Sequence, residues 1–412
     1  MPGALVGHTE RGCPMNGVGR KDTVETFELS LVRGDILYRL QRRIGLIPPD
    51  GPGIGRRALF WALFAWLPIA LWAWYTNRAL PPAAVQEPLL GHFGIHVRFL
   101  VAVPLFLIAE GMAHGFSTGI LPYFVKSGVV PETEVPRLRG TLAGIAKLRD
   151  AVMPWVAILA FAVAFITVSD VIREPHEIAW AIGGSGADPR LGFGALWFLY
   201  VGRPIYLTLL LGWLWRIVLT FLLFRGITKL DLAIVPTHPD RAGGLGFLER
   251  FPKAFMPVVL AAGAVLAAGM AHDVVYHGVT VESLRLPMIA FVVAALVVFL
   301  SPLLVFAGPL LKAKKQALLD YGALIGSHGW LVHERWIAGR DVKDDAILNA
   351  PELGPVADTL ALYEAVKNMR AVPLGKASVA PILLAAAAPM LVVLAIQVPV
   401  KDILRMLVKA LI

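Results

Sequence analysis

The chain has 412 residues, 57% of them hydrophobic and only 16% charged, with a formal net charge of +9. That balance excludes an intrinsically disordered protein, and the single cysteine, Cys13, excludes an intrachain disulfide framework. The apolar residues come in long blocks divided by charged loops rather than at strand or helix periodicity, so the fold class reads as all-α, a polytopic transmembrane helical bundle.

In chain order, residues 1–27 read as a flexible leader without periodicity, and no secretory signal is visible, which makes the first apolar block an uncleaved anchor. Residues 28–56 read as an amphipathic membrane-surface helix and a linker. Leu29, Val32, Ile36, Leu37, Leu40 and Ile44 fall at helical spacing, Arg33, Arg39, Arg42 and Arg43 lie opposite, and Pro48-Pro49 ends the pattern. Residues 57–311 hold six spans, at 58–76, 99–115, 152–171, 194–224, 254–273 and 286–308. Each approaches or exceeds the ~20 residues that a helix needs to cross ~30 Å of hydrocarbon.

Between the second and third spans, Pro131 with Glu132 and Glu134 predicts a helix that continues through Arg139 to Arg149 and into the third span. The fourth block contains Arg203-Pro204, which predicts a kink, a tilt or an extension. The sixth span is expected to continue as one rod through Lys312 to Tyr321, opening a cytoplasmic helical region over 312–376 with a further helix near 354–370 that presents Leu360, Tyr363, Val366 and Met369. Residues 377–412 supply a seventh span, 377–399, and an amphipathic tail. Small residues at Ala261, Ala262, Gly263, Ala267, Ala268 and Gly269, and again at Ala385 to Ala388, permit close helix packing within a subunit or between subunits, so a homo-oligomer is expected.

Lys and Arg concentrate before the first span and in the loops around 126–149, 225–253 and 312–376, whereas 78–98, 172–192 and 274–285 are poor in them. By the positive-inside tendency the N-terminus is cytoplasmic, and the basic face meets anionic lipid rather than nucleic acid.

Several residues are candidates for chemistry. Ionisable groups within spans are costly, which singles out Glu110 and His114, four apart on one helical face, and Arg203 and Arg216 in the fourth block. The two arginines are ~20 Å apart along a helix, so they can line a pore, snorkel to opposite interfaces or, for a deeply placed one, pair with Glu110, Asp170 or Asp273. His92 and His96 precede the second span and His272, Asp273 and His277 end the fifth. Together they form a candidate outer-face zinc site, although their spacing matches no strong ligand motif. In the loop from His238 to Gly246, the backbone amides and Arg241 can hold an anion; alternatively Asp240 caps a short helix in a tight corner and pairs with Arg241.

The segment HPDRAGGLGFL at 238–248, with the preceding Leu230 to Pro236, the Tyr321-Gly322-Ala323-Leu324 helix and the run Asp358 to Pro373, resembles a family of bacterial polytopic inner-membrane proteins. The resemblance implies a multi-pass protein of the cytoplasmic membrane and carries no activity or substrate. The spread of ionisable groups over several spans favours a channel or an ion or small-solute transporter. A membrane scaffold or sensor working through the cytoplasmic amphipathic helices is the alternative. A metal-dependent enzyme is disfavoured, because no zincin, nucleophile-elbow or paired-aspartate pattern occurs.

Overall fold

A computed structural model describes residues 29–49, 51–81, 87–168, 180–183, 190–342 and 354–397. The leader with Cys13, Asp170 and the tail beyond Pro399 lie outside these residues. Among the described residues, seven helical segments are long and apolar enough to cross a membrane, and the fold is the expected all-α bundle. The chain is a multi-pass membrane protein.

The helices are α1 (Ile36–Arg43), α2 (Ile54–Tyr75), α3 (Phe93–Lys126), α4 (Val135–Asp150), α5 (Val152–Val168), α6 (Phe193–Ile227), α7 (Met256–Tyr276), α8 (Arg285–Leu304), α9 (Ala307–Val332), α10 (Gly354–Lys367) and α11 (Lys376–Gln397). The spans are α2, α3, α5, α6, α7, α8 and α11. A 3₁₀ stretch, Gly246–Phe255, leads into α7, and Ile182–Gly183 pairs antiparallel with Arg190–Leu191 as a two-residue ladder. Successive crossings place 29–49, 51–53, α4, the 228–255 loop, α9 and α10 at one end of the bundle, the proximal face. The 87–92, 180–183, 190–191 and 277–284 segments lie at the other, the distal face. Contacts within each face agree: Arg39 donates to Asp150 O at 3.2 Å, and Arg78 donates to Trp180 O at 3.3 Å.

Leu59, Phe60, Leu63, Leu67 and Leu71 of α2 are exposed, as are Leu286, Ile289, Val293 and Val297 of α8. Such stripes are untenable in water and ordinary in lipid, which supplies the missing contact. Between spans, small residues set the spacing. Ala261, Gly263, Ala267 and Ala268 of α7 are buried, and α7 packs on α11, where Ala385 and Ala386 are buried too. Much of each stripe therefore serves packing within the subunit, while Gly269 and Ala388 are exposed.

Three expectations change. The helix over Glu28 to Leu46 is only α1, and its apolar residues are not all on the covered side. Gln41 is its one buried residue and Asp35 at its N-cap faces inward, Ile36 and Leu37 are half-buried, and Leu40 and Ile44 are exposed together with Arg39, Arg42 and Arg43, because the inner contact is made by groups that reach the buried charges. Residues 29–35 are non-helical, and Leu29, Leu31 and Val32 among them are buried and join the core. The helix after Pro131 does not run into the third span. It stops at Asp150, where Ala151 is extended (ψ 141). The sixth span is not continuous with the next helix either, since Val305 and Phe306 interrupt α8 and α9. Beyond that break α10 packs against α9 with Val366 and Met369 buried, as expected, but Leu360 is exposed.

The fourth block is long, as predicted, and departs from regular helix just ahead of its proline. Phe198–Gly202 is π-helical before Pro204, and Val97–Ala102 of α3 is π-helical before Pro104. Proline offers no amide to the preceding turn, so that turn widens to find other partners.

A Cβ at Gly263 would sit 3.1 Å from Phe291 and 3.4 Å from Pro389. Gly263→Val should overpack the α7–α11 contact and cost about 1–3 kcal/mol, read as a lower unfolding temperature in detergent; an unchanged temperature would show that the contact yields freely.

Candidate functional site

The chemistry of the bundle is concentrated where α1 meets α2, α3 and α6. Arg57 enters on the first turn of α2, Glu110 projects from α3, Arg216 from α6, and Asp35 caps α1 from outside the spans. Arg57 Nη2 donates to Glu110 Oε2 at 2.6 Å, and Arg216 Nη2 donates to Glu110 Oε1 at 2.9 Å and to Asp35 Oδ2 at 2.7 Å. Arg57 Nε donates to Gln41 Oε1 at 2.5 Å. The two guanidiniums also lie over aromatic faces, Arg57 over Tyr38 and Arg216 over Trp213. The result is two cations and two anions, each of them 1–4% exposed.

Local sequence explains how each arm is held. Asp35 splits its carboxylate: Oδ1 accepts the Tyr38 amide at 2.7 Å as the N-cap of α1, leaving Oδ2 for Arg216. Gly34 precedes it at φ +109, and a Cβ there would meet the Arg149 guanidinium at 2.8 Å. Arg149 crosses that gap to donate to Ser30 O at 2.5 Å. On α3, the residue after Glu110 is Gly111, whose missing side chain admits Ile54 at the start of α2 and so brings Arg57 within reach. Burial raises the Asp35 carboxyl above its ordinary value and the Arg216 charge only partly offsets this, with Glu110 acting in the same direction as burial.

Sequence reasoning found Glu110 and Arg216 and named the one as a partner for the other. It missed Arg57, counted there only as a basic flank, and Asp35. The available signal was the Gly34-Asp35 pair before a helical pattern, which is a cap signature. His114 is half-buried one turn along α3. Arg203 is elsewhere: it and Arg98 both lie over the Phe198 ring, at 5.8 and 5.4 Å. The two arginines of the fourth block thus have separate surroundings and do not line one wall.

The 238–246 corner follows the structural alternative. Asp240 Oδ1 accepts from Ala242 N at 2.7 Å and Gly244 N at 3.2 Å, and Oδ2 accepts from Gly246 N at 2.7 Å, at the head of the 3₁₀ stretch. The amides nominated for an external anion are taken by the chain's own carboxylate. Arg241 adopts φ +56, and Asp240 pairs with His238 at 2.9 Å rather than with Arg241. Arg370 locks the corner from behind, donating to Asp240 O at 2.8 Å and pairing with Glu249. Burial opposes ionisation of Asp240, but the bonds from Ala242, Gly246, Gly244 and His238 outweigh it and hold the carboxyl below its ordinary value.

On the distal face His92 and His272 stack with ring centroids 5.0 Å apart, and His277 lies 5.3 Å from His272. His96 does not belong to a ligand set. Its Nδ1 accepts from Trp66 Nε1 at 2.9 Å, and its Nε2 faces Leu89 O at 3.0 Å, which occupies both ring nitrogens. Asp273 is also outside the group of converging ligand atoms, which instead includes Glu87, a residue sequence reasoning did not single out. Comparison with family models, curated proteins and solved structures returns no match, so the site is read from its geometry.

Glu110→Gln should be the most damaging single change in the cluster, costing about 3–5 kcal/mol, because it leaves two guanidiniums that cannot deprotonate against Asp35 alone. Adding Arg57→Met should recover part of the loss, since Arg216 then keeps Asp35 as a neutral pair; unfolding temperatures of the single and double variants decide it. For Asp240, a depressed folded value means that its stabilisation is complete above the unfolded value of ~3.9 and is lost as pH falls through the folded one. Protection of the Gly244 and Gly246 amides from exchange, relative to unstructured peptide, should fall across that acid range, and Asp240→Asn should have lost it already at neutral pH.

Proposed function

We propose that the chain is a membrane sensor or scaffold in which the proximal N-terminal segment, 29–46, is latched into the bundle through Asp35. The observation that carries this reading is the Asp35–Arg216–Glu110 contact, with Arg57 on the other oxygen of Glu110: a residue from outside the spans completes the charge balance of three spans. Undocking the segment leaves Arg216 and Arg57 facing Glu110 alone in a low-dielectric setting, so the state of the segment and the packing of the spans form one equilibrium. Anything that binds the free segment, or neutralises Asp35, shifts the bundle.

The channel or transporter reading fits less well, since a wet path needs an accessible guanidinium and Arg216 is 3% exposed with its charge spent on two carboxylates. One observation keeps a carrier as the second reading: a carboxyl whose proton affinity is raised by burial and which holds an arginine is a device for coupling protonation to movement. Under either reading we place the N-terminus and the proximal face in the cytoplasm, against anionic lipid, from the Lys and Arg distribution, with the bacterial inner membrane as the setting and a homo-oligomer as the working assembly.

In a Cys13→Ser background, Val32→Cys, which is 2% exposed, should react slowly with a hydrophilic maleimide applied to inverted membrane vesicles. Asp35→Asn should speed that labelling by about tenfold or more, from the loss of a charge-assisted bond. Equal rates would remove the latch, and labelling only in right-side-out vesicles would reverse the orientation. Proton uptake by proteoliposomes that Arg216→Gln abolishes would favour the carrier.

A further inference from the structure

On the distal face, three segments deliver metal-ligating side chains to one point: Glu87 from the connection after α2, His92 from the turn before α3, and His272 and His277 from the end of α7. Glu87 Oε2 lies 3.6 Å from His272 Nε2 and 3.7 Å from His92 Nε2. Glu87, His272 and His277 each bring a ligand atom within 4.8 Å of the others. The 3.6 and 3.7 Å separations are long for hydrogen bonds. They are close to the edges of a coordination tetrahedron, because ligands held at the bond lengths of zinc sit about 3.3–3.5 Å apart.

The orientation of His272 sharpens the argument. Its Nδ1 is 3.1 Å from Gly91 O, and a ring nitrogen that faces a carbonyl carries the proton. In the neutral imidazole Nε2 is then a bare lone pair, and it points at a carboxylate oxygen. Both His272 Nε2 and Glu87 Oε2 are buried and without a hydrogen-bond partner among the described residues. Two facing lone pairs repel, and a cation between them converts the repulsion into two bonds. An imidazole that donates one nitrogen to a backbone carbonyl and offers the other is also how protein metal sites orient their histidines.

We propose that Glu87, His272 and His277 bind a divalent transition metal, with His92 beside Glu87 as the adjoining imidazole. Imidazole with a single carboxylate selects zinc over magnesium or calcium, which prefer all-oxygen shells. His277 is exposed, so the site opens to the distal side and a water can complete the coordination. The connection after α2 is thereby clamped to the end of α7. This assignment is independent of the latch at the opposite face.

The test uses the full chain, purified through an affinity tag without histidines in chelator-free buffer. Elemental analysis should find about one zinc per chain, and cobalt(II) added to stripped protein should give the visible absorption of tetrahedral coordination. Glu87→Gln and His272→Ala should each weaken zinc binding by about tenfold or more in competition with a colorimetric chelator, with His277→Ala behaving alike. Monodispersity in detergent is checked for each variant. Background zinc and no cobalt spectrum in the folded wild-type protein would overturn the proposal, as would unchanged affinity in Glu87→Gln and His272→Ala.

Discussion

The structure depends on a balance of charge away from water. Arg57, Glu110, Arg216 and Asp35 are each 1–4% exposed, and an ion of either sign left alone there costs several kcal/mol. The arrangement tolerates this because every anion has a cation: Glu110 bridges both guanidiniums, and Asp35 closes the set. That requirement explains features that otherwise look unrelated. The chain before the first span folds inward instead of lying flat, α1 turns Gln41 and its capping Asp35 to the protein, Gly34 takes a left-handed conformation, and Gly111 opens room for the start of α2. Each brings a charged group to a place that the others have already made polar.

Around this cluster the bundle follows the rules of lipid. Apolar side chains are as content outside as inside, so burial does not sort them, and helix approach is set by small residues such as Gly263 and Ala386 and by rings such as Trp213 and Phe255. Arginines near the distal end of α3 and α6 solve the same problem differently. Arg98 and Arg203 lie over Phe198, next to two π-helical turns that the prolines impose. The proximal loops use a third device. Asp240 satisfies the amides of its own corner, and Arg370 ties that corner to the end of α10, so the loop from α6 to α7 is held by internal bonds.

The two faces of the bundle thus carry different chemistry. The proximal end is a set of docked segments joined by ion pairs and main-chain hydrogen bonds, suited to reporting a change of state. The distal end gathers imidazoles and a carboxylate with matched lone pairs, suited to holding a cation. They are separated by a span packed with aromatic and small residues, and α3 and α7 run between them.

The sequence by itself determined the spans, because hydrocarbon thickness demands about twenty apolar residues in a row and that demand is local. It also showed Glu110 and Arg216 as groups needing explanation, since a charge within an apolar run is costly wherever the run packs. It identified the glycine and aspartate of the 238–246 corner, whose turn chemistry lies within nine consecutive positions. What only the tertiary structure decided was partnership across distance. Asp35 and Arg216 are separated by 181 positions, and so are Gly91 and His272, with nothing in the local pattern of either to point at the other. The basic, exposed side of α1 was legible, but the inward role of Asp35 and Gln41 was not, because periodicity marks a helix's faces while the charges inside the bundle decide which polar groups are drawn in.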